Sequence, residues 1–276
     1  PALAFAVAVA GIASFSGVDA VMKGLSLALG TYVAMLWRTA ATIPISGVLW
    51  LARGPRWPSR VAMRIHFVRA VLGALTAFLF FWGLERLPMA QTIALTHIAP
   101  LMALVLAAAV LKEKLRRRTV LASVLAMVGV AVILVGQART APGPDATWGA
   151  LAVLGSAIGY SYNIILMRQQ ALLSEPLEIA FFQSVFITAA LLPAAYWFGG
   201  WPGMEHVPAI LLGAALAVVS LALLGWAYGH AEASFLAASE YTAFLWASLF
   251  GYFFFGESVS SHTLAGAVLI IGACLW

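Results

Sequence analysis

Charge is the scarcest commodity in this sequence: Asp, Glu, Lys and Arg make up 9% of its 276 residues, where a soluble domain carries about a quarter. So few charged side chains cannot clothe a water-exposed surface. With 63% hydrophobic residues and a mean hydropathy of +1.00, the composition is that of an integral membrane protein. Cysteine is nearly absent: Cys274 stands alone, which excludes an internal disulfide and any metal site built on a cysteine cluster. The histidines (66, 97, 206, 230 and 262) are scattered without metal-ligand spacing, so no metal is expected. A Walker-type phosphate loop is also missing, which excludes ATP as the direct energy source, and no cofactor is expected. The net charge of +5 does not indicate nucleic acid, because most of the cations fall in short loops between apolar runs. Pro1 opens the chain and Trp276 closes it inside an apolar run, so both ends are expected to be trimmed.

What is abundant is long apolar stretches. They predict helices over 2–24, 31–52, 62–85, 88–111, 117–136, 148–170, 177–199, 207–230, 232–255 and 260–276. Most hold about twenty residues, enough at helical rise to cross a bilayer core. The separators RGPRWPSR, QARTAPGPDAT, SEP and GGWPG are breakers, and none is long enough for a soluble domain. Lys112, Lys114, Arg116, Arg117 and Arg118 crowd the turn KEKLRRR, and Arg53, Arg56, Arg60, Arg64 and Arg168 fall in loops of the same parity. The opposite loops hold only Arg86, Arg139 and Lys23. Basic short loops stay on the cytoplasmic side, so both termini are expected to be cytoplasmic.

An offset of 144 residues carries Glu113 onto Glu257, Gly11 onto Gly155, Trp82 onto Trp226, Leu101 onto Leu245, Thr119 onto Thr263 and Asp19 onto Asn163. Five helices is an odd number, so the copies must run with opposite topology. The loop charge agrees, since GESVSSH, the counterpart of KEKLRRR, has no Lys or Arg. The expected fold is all-α, with ten transmembrane helices as two five-helix inverted repeats, residues 1–136 and 148–276. That is the plan of a secondary transporter.

The order of Arg38 in helix 2, LPMA before helix 4, Pro100-Leu101 within it, Glu113 at its end and Gly129-Val130 in helix 5 resembles the EamA-like branch of the drug/metabolite transporter superfamily. The likeness spans nearly the whole chain. The second half keeps Glu257, Gly266 and Gly272 but has Phe244 where the family often has proline. What the resemblance implies is a central cavity and export of amino acids or other small metabolites across the bacterial inner membrane. Within the branch the chain looks most like the YddG-type amino-acid exporters. The partners implied are a small-molecule substrate and the lipid bilayer, with a monomer expected and a homo-oligomer compatible.

Polar groups inside the membrane carry the expected chemistry, because an ionisable side chain there is costly unless paired or wetted. Asp19 and Lys23 share one face of helix 1, either paired, lining an aqueous wall, or forming a helix-end ion pair. Tyr160 and Asn163 share a turn of helix 6. Thr96 and His97 fall opposite Glu240 and Tyr241 under the repeat offset, beside Pro100, a candidate hinge that removes a backbone hydrogen bond. The expected cavity set is Asp19, Lys23, His97, Tyr160, Asn163, Glu240 and Tyr241. Trp82 and Trp226 read first as interface anchors and second as aromatic lining. Arg38 reads as structural. Small residues, Gly155 with Gly159 and Ala13 with Gly17, predict close helix approach.

A zwitterionic amino acid needs a group for its ammonium (Asp19, Glu240) and one for its carboxylate (helix amides, Asn163 or Lys23), so neutral or aromatic amino acids are the expected cargo, with a multidrug or other metabolite exporter as the alternative. An intramembrane enzyme is the alternative of another class. It would need a nucleophile with its base or paired carboxylates, which no spacing here demands.

Overall fold

The computed structural model describes residues 2–54, 57–99, 102, 117–140, 144–171, 173–230, 239 and 241–275. Its helices are α1 (Ala2–Leu29), α2 (Thr31–Leu51), α3 (Arg60–Arg86), α4 (Met89–Thr96), α5 (Arg117–Thr140), α6 (Pro144–Ala171), α7 (Pro176–Leu191), α8 (Val207–His230), α9 (Thr242–Phe255) and α10 (Ser261–Leu275). Five of the described helices are long and apolar enough on their own to cross a membrane, and stretches of α5, α9 and α10 are shorter apolar helices.

Where helix ends differ from the sequence expectation, backbone chemistry explains it. Helix α1 runs past 24 to Leu29 because Lys23 is buried and paired instead of breaking the helix; the stop is Gly30, whose φ of 80° suits glycine. Helix α6 begins earlier, at Pro144, a residue preset for the first helical position. Helix α7 tightens into a 3-10 turn at Leu192–Ala194, where Pro193 has no N–H to give, and Ala195–Phe198 completes it. Pro100, most of the second half of the expected helix 4, and the start of the expected helix 9 lie outside the described residues.

The exterior is apolar, with Leu3, Val48, Leu51, Met127 and Val268 exposed, while Asp19, His66, Arg69 and Asn163 are buried. This reversal of the soluble pattern suits a lipid surround. Every residue of α4 from Met89 to Leu95 is buried, which puts that helix at the centre.

Between the two halves the most extensive packing joins α1 to α8, α3 to α6, α5 to α10 and α2 to α7, followed by α2 to α8, α3 to α7, α1 to α9, α4 to α9 and α4 to α6. Exchanging each helix for the one five places along the chain maps this set onto itself. The two halves therefore interleave about a pseudo-twofold axis, as inverted repeats require.

Glycine lets the symmetric pairs approach. A β-carbon on Gly83 of α3 would stand 2.7 Å from the Gly149 carbonyl oxygen of α6, and one on Gly129 of α5 2.8 Å from the Gly266 oxygen of α10. Of the sequence-predicted small faces, Gly159 is pressed on Thr76, whereas Gly155 meets only Leu79 at 3.8 Å and Gly17 only Leu216 at 3.4 Å.

Candidate functional site

Two ends of the bundle and a middle layer hold the polar groups. At one end, helix α9 stops at Gly256, whose left-handed φ of 65° lets Gly256 N donate to Tyr252 O and Glu257 N to Gly251 O, each at 3.0 Å. That turn aims Glu257 back at the start of α4. Its Oε2 accepts the backbone N–H of Met89 at 2.8 Å, one of the orphan donors of a helix N-terminus. Its Oε1 pairs with Lys23 of α1, and Lys23 Nζ also donates to Leu87 O at 2.6 Å. The LPMA stretch and Glu257 thus form one capped, ion-paired junction of α1, α4 and α9. Nearby, Thr31 Oγ1 donates to Glu85 at 2.8 Å.

At the other end a chain of donors runs through buried side chains. Arg69 of α3 donates to Gln170 Oε1, the Gln170 amide donates to His66 Nδ1, and His66 Nε2 then carries the hydrogen that reaches Glu178 Oε1 at 3.1 Å. His66 is 0% exposed and its ring stacks on Phe182 at 5.4 Å. Phe182 belongs in turn to a cluster with Trp50, Trp57, Phe181 and Phe186 that seals α2 against α7.

The middle layer holds the intramembrane charges. Asp19 is 2% exposed, and its Oδ1 makes no hydrogen bond; the same is true of Ser16 Oγ, one turn earlier on α1, and of Arg38 Nε on α2. Arg38 is the cation in electrostatic contact with Asp19, and its stem lies over Gly213 of α8. Asn163, the repeat counterpart of Asp19, accepts a hydrogen bond from Arg69 Nε at 2.9 Å. The repeat offset carries Arg69 onto Gly213 and Arg38 onto Phe182. Both guanidiniums therefore come from the first half, with Arg38 of α2 beside Asp19 of its own half and Arg69 of α3 beside Asn163 of the other.

The sequence-predicted residues distribute as follows. Asp19 and Asn163 occupy symmetric buried positions. Lys23 turns to Glu257, away from Asp19. His97 donates from Nδ1 to Ile93 O at 2.6 Å and stacks on Tyr241 at 5.5 Å, so these two meet across α4 and α9. Tyr160 is 45% exposed and in electrostatic contact with Arg69. Trp82 is covered by the Arg86 guanidinium at 3.7 Å, and Trp226 stacks on His230 at 4.1 Å, each engaged near an end of its own helix. Glu240 and Pro100 lie outside the described residues. Sequence reasoning passed over Arg69, Gln170 and Glu178. The signal for the first was a charged residue three positions beyond His66 and deep inside an apolar run.

Comparison with known proteins gives the following. The profile of a family described as the EamA-like transporter family matches residues 2–135 and again 147–276. The pseudopaline exporter CntI of Pseudomonas aeruginosa is 26% identical over 267 residues, 95% of this chain and 91% of that protein. A riboflavin transporter of Brucella anthropi is 22% identical over 264 residues, covering 92% and 89%. An S-adenosylmethionine uptake transporter of Rickettsia bellii is 24% identical over 215 residues, covering 77% and 71%. A solved crystal structure shares the fold with a TM-score of 0.62 at 20% identity, over 99% of this chain and 95% of that one.

Proposed function

Because the chain belongs to the EamA-like transporter family, we propose that it is a secondary transporter that exports neutral or aromatic amino acids across the bacterial cytoplasmic membrane by alternating access. Membership makes it a membrane transporter of small molecules rather than an enzyme. It does not choose the cargo, since the named relatives carry chemically different metabolites.

The observation that supports an amino acid is the pairing of buried Asp19 with half-buried Arg38, each keeping a buried atom without a hydrogen bond. An unsatisfied buried polar atom costs about 1–3 kcal/mol, which a zwitterion with one charge of each sign relieves on binding. In this reading Asp19 takes the ammonium, and the stacked His97 and Tyr241 with the exposed Tyr160 supply aromatic walls for the side chain. The repeats comprise residues 1–136 and 148–276, both termini face the cytoplasm, and the monomer, which already contains both halves, is the working unit.

Counterflow into proteoliposomes with a panel of radiolabelled amino acids tests this. Saturable exchange of phenylalanine, tryptophan or leucine is the expected result. Strong exchange of lipophilic cations with none of any amino acid would overturn it in favour of a multidrug exporter.

A further inference from the structure

We propose that the groove between the start of α3 and α7 is a binding site for an anionic phospholipid, whose phosphate is held by Arg60 and Arg64 and one of whose acyl chains lies along the apolar remainder. The site is independent of what the transporter carries.

The groove has a volume of about 520 Å³ and is lined by Arg60, Met63, Arg64, Phe67, Val68 and Phe186. Its polarity is confined to one end: both charged residues fall in the first five positions of α3, and every wall beyond them is apolar. Arg60 and Arg64 are four residues apart and share a helix face, which the exposed Phe67, Val68, Val71 and Leu75 continue toward the membrane interior. From Arg64 to Leu75 that face covers about 16 Å at helical rise, close to half of a hydrocarbon core ~30 Å thick. Phe186 forms the opposite wall, with its ring edge-on to Phe67 at 5.7 Å. A charged head over one leaflet's depth of apolar track is the outline of a phospholipid.

The depth and the charge agree with this. Exposed Trp57, edge-on to Phe182 at 5.7 Å, stands just before α3, and tryptophan at a helix end marks the headgroup level. The arginines of the first turns therefore lie where lipid phosphates lie. The first turn of α3 holds no acidic residue, so the guanidiniums add to the positive partial charge of the helix N-terminus instead of offsetting it. Orienting a membrane protein requires cations in its loops; it does not require two of them on one helix face at the head of an apolar groove. A guanidinium fork matches phosphate oxygens, and basic pockets between helices on the cytoplasmic side, the side expected here from loop charge, suit acidic lipid headgroups. A soluble anion would leave the apolar walls unfilled, and a zwitterionic lipid would bring a cation of its own toward the arginines.

Native mass spectrometry of the full-length protein in detergent, titrated with phosphatidylglycerol or phosphatidylcholine, tests the site. Each basic residue at an anionic headgroup is worth about fivefold in affinity, so Arg60→Gln combined with Arg64→Gln is expected to weaken the first phosphatidylglycerol by about thirtyfold and phosphatidylcholine by clearly less. Both side chains are exposed, so the fold is retained. Val68→Trp fills the groove without changing charge and is expected to weaken both lipids. Arg53→Gln removes an exposed cation at the same end that does not line the groove and is expected to bind as wild type does. A loss in Arg53→Gln as large as in Arg64→Gln alone would show a diffuse basic surface and overturn the site. So would a wild type without preference for phosphatidylglycerol, unchanged binding in Val68→Trp, or displacement of the lipid by equimolar soluble glycerol phosphate.

Discussion

Lys23 lies four residues from Asp19, yet it takes its anion from Glu257, 234 residues further on. Spacing on one helix fixes which side chains share a face, and the neighbouring helices decide which of them meet. The Lys23 ammonium is buried and Glu257 is half-buried, so removing one partner strands the other. Lys23→Met is expected to cost about 2–4 kcal/mol, below or within the range for fully buried pairs because Glu257 keeps its bond to Met89. The check is a double-mutant cycle with Glu257→Gln on thermal unfolding in detergent, where the double variant should lose clearly less than the sum of the singles. Glu257 and LPMA were legible in the sequence as pattern, but their joint role as a helix cap was not, because it depends on the left-handed turn at Gly256. Arg69 escaped notice for a related reason. Its partners come from α6, about a hundred residues away, and no local spacing announces them.

The helix pairs show a second kind of legibility. Among the described residues, long apolar runs and their breakers gave most helix ends to within a few residues, because hydrophobic length is a local property, whereas α4 ends at Thr96 inside the expected run 88–111. Which glycines carry the close approaches was less accessible, since small residues recur throughout apolar helices. Gly155 was an obvious candidate, yet it has room for a methyl; Gly83, which the pattern did not single out, faces backbone. Gly83→Ala must push α3 from α6, because the Gly149 carbonyl cannot rotate aside, and a loss of about 1–3 kcal/mol is expected. Gly155→Ala should be neutral or stabilising by up to about 1 kcal/mol, from helix propensity alone. Melting temperatures of the two variants side by side decide the matter; equal losses would refute the packing account.

On the scale of the whole molecule, the pairings α1 with α8, α3 with α6, α2 with α7 and α5 with α10 all cross between the halves. Internal repetition was readable from the 144-residue offset, but this interleaving was not, because a repeat says what is alike and not what touches. The orientation expected from loop charge has a direct check. In a Cys274→Ser background, a cysteine at exposed Ser258 should react with an impermeant thiol reagent applied outside cells, and one at Arg116 should not. Ser258 is preferable to Ser260, whose hydroxyl accepts Thr263 N at 3.1 Å and caps α10. Labelling of both positions from the same side would refute the inverted arrangement.

The Lys23–Glu257 junction also sets an order of events during synthesis. Helix α1 leaves the ribosome before α9 and enters the bilayer carrying an ammonium whose carboxylate is encoded 234 residues further on. Until the turn after α9 arrives, Lys23 and the amide of Met89 lack the one group that satisfies both. An interrupted chain therefore exposes an unmet positive charge and an uncapped helix inside the membrane, the kind of defect that membrane proteases and insertases can recognise. The same carboxylate that joins α1, α4 and α9 in the finished fold is the one whose arrival closes that junction during synthesis.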